Sequence, residues 1–299
     1  MSSPLFSVII PTYNRAKTIT NTLNSVMTQQ FQDFEVLIVD NDSTDNIEEV
    51  LADYIATGKV RFFRNDRNYE RSYSRNRGLD LAKGDYAILL DSDDLLHTNC
   101  LQDAKNFIDD NVDNLFFHNL YEFVDENNNR TTGTDLYLPD NPFKSMARGN
   151  FLACNGVFMA RSVYQKHRFD LKAVGSEDWD YWLRVLNDVG YIGRINKVNS
   201  AILIHSDRSM QNMSIKKLED AKNYILSKVT SFPQQYTRYK KYYPFMKAST
   251  FLYLGSMSNS AGKHTSAIKY AISSIFYRPG VILSKRFFII LIKGIIRSQ

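Results

Sequence analysis

Ala87-Ile88-Leu89-Leu90-Asp91-Ser92-Asp93-Asp94 joins a short apolar run to three carboxylates within four residues. An apolar run of this length, bounded by turn residues, reads as a buried strand. A buried strand that stops on clustered acids sets hard oxygen ligands at the rim of a sheet. In an open α/β sheet that rim is where ligands bind, so a divalent cation and a phosphorylated ligand can meet there. The same acids also read as a solvated turn capping a helix that begins near His97, with Asp94 as the cap, because aspartate is a favoured N-cap residue.

The flanking sequence decides what sheet this strand enters. Phe6 to Ile10, Phe34 to Val39, Val60 to Phe63 and Tyr86 to Leu90 read as strands. Ala16 to Gln29, Asp45 to Ala56 and Ser72 to Lys83 read as helices between them, the second capped by Ser43 or Thr44. This alternation is the signature of βαβ units, and right-handed crossovers bring the strand ends to one edge. Pro11 to Arg15, Asp40 to Asp45, Asn65 to Arg71 and Asp91 to Asp94 all follow those ends. After Phe116 the alternation is lost. Leu115 to Val124 reads as a strand, Asp125 to Asn129 as a hairpin tip and Leu136 to Leu138 as the return strand, an antiparallel extension of the parallel half. From Ser214 onward the pattern is helical, and Lys247 to Ser260 and Lys263 to Tyr277, joined at Ala261-Gly262, read as one helical hairpin. The expected class is α/β: a Rossmann-like, mainly parallel sheet with an antiparallel extension, then a helical C-terminal region. Residues 1–212 form the first expected domain, with halves at about 1–115 and 116–212, and residues 213–299 the second.

Composition narrows the chemistry. The chain has 299 residues, 43% of them hydrophobic, enough for a sizeable core. Two cysteines, Cys100 and Cys154, are too few for a disulfide framework or a cysteine zinc site and favour a reducing compartment. The five histidines form no His-Glu-x-x-His pair. A net charge of +5 suits phosphates, nucleotides or anionic lipid heads without singling out nucleic acid. The N-terminus carries no basic region ahead of an apolar one, and the longest apolar run near the C-terminus, Phe287 to Ile292, is too short to span a bilayer, so a cytoplasmic location is expected. Residues 281–299 combine an apolar body with Lys285, Arg286, Lys293 and Arg297. Such a helix can lie in a membrane interface, or it can dock on the preceding hairpin.

Neither G-x-G-x-x-G nor G-x-x-x-x-G-K occurs, which disfavours dinucleotide cofactors and P-loop chemistry. After the first strand, Tyr13 can stack on a base while Thr12 and Arg15 contact a ribose or phosphate, and Asp40 can accept from a base N–H. The same segment also reads as a plain strand-to-helix turn. Arg71 and Arg75, four apart near a helix N-terminus, suit a diphosphate, or form a solvated basic face. Gly175-Ser176-Glu177-Asp178-Trp179-Asp180-Tyr181-Trp182-Leu183-Arg184 holds three acids and both tryptophans. An acid beside aromatic surface can serve as a general base, or the acids can cap an amphipathic helix whose tryptophans face the core. His205 ends the apolar run Ala201 to Ile204.

Taken in order, Val8 to Arg15, Val39 to Asp45, Ser74 to Gly78, Leu90 to Asp94 and Glu177 to Asp180 resemble the nucleotide-sugar-dependent glycosyltransferases of inverting family 2, with the GT-A fold. The resemblance covers roughly the first 210 residues, and five motifs in order are far more specific than one. It implies transfer of a sugar from a nucleotide diphosphate, a UDP-sugar foremost, to a hydroxyl of a glycan or lipid-linked acceptor in cell-surface polysaccharide synthesis, a hexosyltransferase-like reaction. By position, Pro11, Thr12, Tyr13, Arg15 and Asp40 would form the nucleoside pocket, with Arg71, Arg75, Asp91, Ser92 and Asp93 completing the donor site. Asp91 and Asp93 would hold Mn²⁺ or Mg²⁺, with His205 a further ligand. Asp178 would be the catalytic base, and Glu177, Trp182 and Arg184 would meet the acceptor or leaving group. The implied location is the cytoplasm, peripheral on the inner face of the cell membrane through 281–299. Two departures stand out: the family carries glycine where this chain has Glu70, and alanine where it has Ser74. A sugar-phosphate nucleotidyltransferase, or a non-catalytic nucleotide-sugar-binding protein, is the alternative; the first would carry a glycine-rich N-terminal loop followed by lysine, which is missing here.

Overall fold

The computed structural model describes residues 3–132, 140–205 and 213–296. In chain order the elements are β1 (Phe6–Thr12), α1 (Ile19–Met27), β2 (Phe34–Asp40), α2 (Ile47–Ala56), β3 (Val60–Arg64), α3 (Arg71–Leu81), β4 (Tyr86–Leu89), β5 (Leu95–Leu96), α4 (Cys100–Asp110), β6 (Phe116–Val124) and β7 (Arg130–Thr132). There follow α5 (Pro142–Arg148), β8 (Val157–Ala160), α6 (Arg161–Tyr164), α7 (Glu177–Val189), β9 (Gly193–Leu203), α8 (Ile215–Ser231), α9 (Tyr243–Ser260), α10 (His264–Tyr277) and α11 (Lys285–Ile296). They pack as two compact units. The first draws on Met1–Thr134, Leu152–Lys172 and Val189–Asp207, the second on Asp135–Phe151, Ala173–Asp188 and Arg208–Gln299.

The first unit is built on one sheet of order β3-β2-β1-β4-β8-β6-β9-β5, with β7 paired to β6. Strands β3, β2, β1 and β4 are parallel, while β8 runs antiparallel to both β4 and β6. Every residue of β1 and β2 is buried, as expected of parallel strands whose two faces are both covered. This is the mainly parallel α/β sheet with an antiparallel extension that the apolar runs predict. The hairpin tip falls at Asp125 to Asn129, but the return strand starts at once with Arg130, paired to Val124. The expected return at Leu136 to Leu138 lies outside the described residues.

Helix starts differ from the sequence reading. Helix α1 begins at Ile19, because the Ala16 amide donates to Asp45 Oδ2 and the Arg15 carbonyl accepts from both Thr18 and Ile19. Helix α2 is not capped by Ser43 or Thr44; Asn46 precedes it, and the Ser43 hydroxyl turns to Asp40. The helix expected near His97 is α4, which starts at Cys100 after the short strand β5 and is preceded by Asn99 rather than by Asp94.

In the second unit α9 and α10 form the expected hairpin, joined through Gly262 at φ +71°. Helix α11 docks one face on it: Phe287 and Ile290 join Ala248, Leu252, Ala267, Ala271 and Val281 in a buried cluster. Its other face leaves Phe288, Ile289, Ile292 and Ile295 exposed. Near α7, Asp180 is fully buried and holds two cations: Arg184 Nη2 at 2.8 Å and Lys228 Nζ at 2.7 Å, with the Tyr236 hydroxyl donating to the same carboxylate.

Candidate active site

The three carboxylates after β4 have three different fates. Asp91 Oδ1 accepts from Arg75 Nη2 at 2.7 Å. Asp93 Oδ2 lies 3.0 Å from His205 Nε2 and 3.6 Å from Arg15 Nη2, whereas its Oδ1 makes no hydrogen bond or ion pair among the described residues. Asp94 is buried, accepting from the Leu203 amide at 3.0 Å and from Asn155 Nδ2 at 3.4 Å. It therefore does not cap a helix; it fastens the strand end to β9. Ser92 between them is buried.

The loops after β1 and β2 meet at the same edge. Pro11 and Thr12 are buried in β1, while Tyr13 beyond it is 43% exposed. Asn14 adopts φ +51°, its amide donating to Ser43 Oγ and its Oδ1 accepting from the Thr44 amide. Asp40, expected to accept from a base, is fully buried; the Ser43 hydroxyl donates to one oxygen and the Ser43 amide to the other. As it stands, Asp40 shapes the loop and offers no exposed edge to a base. Burial raises its pKa above the usual aspartate value, opposed by the Ser43 hydrogen bonds and then by Arg64. Arg64 is a residue the sequence reading missed: it lies 3.6 Å from both Asp40 and Asp42 and donates to the Ser43 carbonyl. Its only signal in sequence is that it ends β3, at the same edge.

Helix α3 corrects the diphosphate reading of Arg75. Its guanidinium is 3% exposed, pinned to Asp91 and stacked 5.4 Å over Phe169, because this face of the helix turns inward toward the sheet. Arg71, one turn earlier, is half-buried. The preceding loop is tied by Asn41 to Asn65 and Asn68. In it Glu70 is exposed and adopts φ +76°, ψ +161°, a region that glycine enters freely and other residues rarely do. The departure from the family at this position is thus a backbone strain rather than a buried charge.

In the second unit, Gly175 turns at φ +83° and donates its amide to Glu177 Oε2 at 2.8 Å, so Glu177 braces the start of α7. Asp178 is half-buried; Asn150 Nδ2 donates to its Oδ2 at 2.8 Å and the Trp179 amide to its Oδ1 at 2.7 Å. Trp179 is buried, its indole donating to the Met146 carbonyl, and Trp182 is fully buried. Trp182 is therefore core, as the amphipathic-helix reading of this segment has it. Arg184, like Trp182 expected at the acceptor or leaving group, is turned back onto Asp180 through Nε and Nη2.

Beside Asp93 and His205 opens a cavity of about 220 Å³, lined by Thr18, Asn21, Thr22, Val124, Asp125, Glu126, Leu203 and Ile204. Among the described residues no group of three or more histidine, cysteine, aspartate or glutamate side chains could hold a metal ion alone. Asp93 nevertheless offers one hard oxygen to Mg²⁺ or Mn²⁺. Such ions are commonly bound by one or two carboxylates while substrate phosphates and water complete the shell, and Asp93 Oδ1 is the hard oxygen left uncommitted.

A family model described as Glycosyl transferase family 2 matches residues 7–167. An uncharacterized glycosyltransferase of Methanocaldococcus jannaschii, MJ1057, is 32% identical over 198 residues, covering 63% of this chain and 67% of the relative. The Escherichia coli UDP-Glc:alpha-D-GlcNAc-diphosphoundecaprenol beta-1,3-glucosyltransferase WfgD is 26% identical over 224 residues, covering 74% of this chain and 84% of that one. In three Rickettsia relatives the match spans only about a third of the protein. Among solved structures, S. aureus TarS residues 1–349 aligns with a TM-score of 0.69 at 20% identity, covering 93% of this chain and 81% of TarS 1–349. The mannosyltransferase PcManGT of Pyrobaculum calidifontis, solved with GDP-Man and Mn²⁺, aligns with a TM-score of 0.59 at 15% identity, covering 99% of this chain and 87% of that one.

Proposed function

The chain belongs to glycosyl transferase family 2, and from that premise we propose that it is an inverting, metal-dependent transferase of a sugar from a nucleotide diphosphate to a glycan or lipid-linked acceptor hydroxyl in cell-surface polysaccharide synthesis. The observation that carries this reading is Asp93 at the sheet edge, braced by Arg15 and His205 with one oxygen uncommitted. A UDP-sugar is the donor we favour, in keeping with WfgD, whose name specifies UDP-Glc.

In this reading Tyr13 stacks on the base and the 40–45 loop, organised by Asp40 and Arg64, walls the nucleoside. Asp93, with Asp91 and His205, would hold Mn²⁺ or Mg²⁺, which when bound neutralises charge on the departing diphosphate. Arg75 keeps Asp91 in place, and Arg15 keeps Asp93. Asp178, oriented by Asn150, takes the proton of the acceptor hydroxyl as that oxygen attacks the anomeric carbon from the face opposite the diphosphate. The bond from the anomeric carbon to the diphosphate oxygen breaks, and the nucleoside diphosphate leaves with the electron pair. Exposed apolar residues of α11 suggest peripheral contact with a membrane.

The test pairs two variants. Asp93→Asn is expected to abolish the thermal shift produced by UDP with Mn²⁺, and Asp178→Asn to preserve it while lowering transfer by about 10²- to 10⁴-fold, the usual size of a general-base contribution. Undiminished transfer by Asp178→Asn removes it as the base.

A further inference from the structure

We propose that Arg148, Lys222 and Arg286, all in the second unit, form a subsite for a phosphate or diphosphate group carried by the acceptor. The inference deepens the acceptor half of the proposed function and rests on Asp178 as its base.

Two of the cations, Lys222 and Arg286, share the ring of Tyr253, and Lys222 also faces Trp179. Lys222 Nζ lies 4.5 Å from the centroid of Trp179 and 5.4 Å from that of Tyr253, and the Arg286 guanidinium stands 5.9 Å from Tyr253 on α9. Arg286 Nε donates to Ser256 Oγ at 3.1 Å, one turn along the same helix, which fixes its approach. Arg148 ends α5 and is exposed, and Arg286, although its guanidinium is closely surrounded, keeps enough of its surface in solvent to be reached. Two residues after Arg148, Asn150 holds Asp178, and Trp179 follows Asp178 directly. A phosphate among these cations would therefore sit beside the proposed base.

None of the three cations has an ion-pair partner among the described residues. Burial and then repulsion from Arg148 lower the pKa of Arg286, and burial lowers that of Lys222 against the pull of Asp178 and Glu177. Arg148 and Arg286 repel each other, a cost that a bound anion would recover, and guanidinium groups suit phosphate oxygens. The surrounding sequence points the same way. Residues 221–299 contain thirteen lysines and arginines and no aspartate or glutamate, although the whole chain holds 32 acids. WfgD, by its name, acts on a diphosphate-linked acceptor.

The full chain is titrated with inorganic pyrophosphate in metal-free buffer and followed by tryptophan emission, which only Trp179 and Trp182 supply. The expected result is a saturable change whose midpoint rises about tenfold or more in Arg148→Ala/Arg286→Ala, as loss of two charge-assisted contacts requires, and does not move in Asp93→Asn. Both arginines are exposed, and far-UV circular dichroism checks that the double variant is folded. No saturable response, or one that the double variant leaves in place, overturns the subsite; a response lost in Asp93→Asn puts the anion at the donor site and overturns it too. The donor reading is judged separately, by UDP with Mn²⁺: if Asp93→Asn still binds that pair, the donor reading fails while the pyrophosphate result stands. Competition by geranyl diphosphate tighter than by glucose 1-phosphate assigns a lipid-linked diphosphate, the reverse order assigns a sugar phosphate, and competition by neither overturns the acceptor role.

Discussion

Glu70 carries a conformation that its neighbours impose. Its amide donates to Asn68 Oδ1, and the loop it belongs to is anchored by Asn41. A non-glycine residue in this region costs about 1–3 kcal/mol, so Glu70→Gly is expected to raise the melting temperature, a shift that calorimetry reads directly. Asp40 makes the second residue-scale prediction. Its folded pKa is raised above 3.8 by burial, so the native state holds the proton more tightly than the unfolded chain does. Its contribution to stability is then greatest at low pH and declines as pH rises from the unfolded value through the folded one. Urea unfolding at a series of pH values should show wild type losing ground to Asp40→Asn over that window; parallel curves would remove the assignment. The positions of Asp91, Asp93 and Asp178 were legible as motifs. The burial of Trp182 matches the reading of an amphipathic helix with its tryptophans facing the core, whereas the burial of Arg75 and Arg184 was not legible, because residue type and spacing do not say what a charged side chain meets.

At the scale of elements, α3 lies so close to β1 that a Cβ on Gly78 would stand 2.2 Å from Ile9 Cγ2. That contact explains the glycine ending the Ser74 to Gly78 motif. Gly78→Ala is expected to destabilise the protein by about 1–3 kcal/mol, as overpacking does, measured as a fall in the urea midpoint at constant slope. Helix α7 is tied to α8 through Asp180, which faces Arg184 and Lys228. Removing the acid takes a buried carboxylate away from two largely buried cations. Asp180→Ala is expected to cost about 3–5 kcal/mol, and the same unfolding measurement checks it. The strands were easy to read because continuous apolar runs permit little else. Helix starts were harder, since Ser43 and Asp94, residues that favour caps, found partners elsewhere in the fold.

For the molecule as a whole, no helix among the described residues is long and apolar enough to cross a membrane. Helix α11 docks Phe287 and Ile290 on the hairpin, while Phe288 and Ile292 are each 52% exposed. With the acid-free basic segment around it, this face is expected to bind vesicles containing anionic lipid, and to do so less as salt screens the attraction. Phe288→Glu/Ile292→Glu should reduce sedimentation with such vesicles by about tenfold or more; equal sedimentation of variant and wild type would remove the membrane contact.

The sequence by itself determined the parallel half of the sheet, the antiparallel extension, the C-terminal hairpin and the order of the motifs at the strand ends, because these depend on local periodicity and short connections. Only the tertiary structure decided which charges are spent and which are available. Arg75 reaches Asp91 across 16 residues, the Asp94 carboxylate reaches Leu203 across 109, and His205 reaches Asp93 across 112. The grouping of Asp135–Phe151 and Ala173–Asp188 with the C-terminal helices is equally non-local. In the acidic run that ends β4, local sequence supplied three equivalent carboxylates, and distant partners made them a paired acid, a braced acid with one open oxygen, and a buried fastener. The physical reason is that the chemistry of a charge is set by what lies against it, and in this fold that is seldom a sequence neighbour.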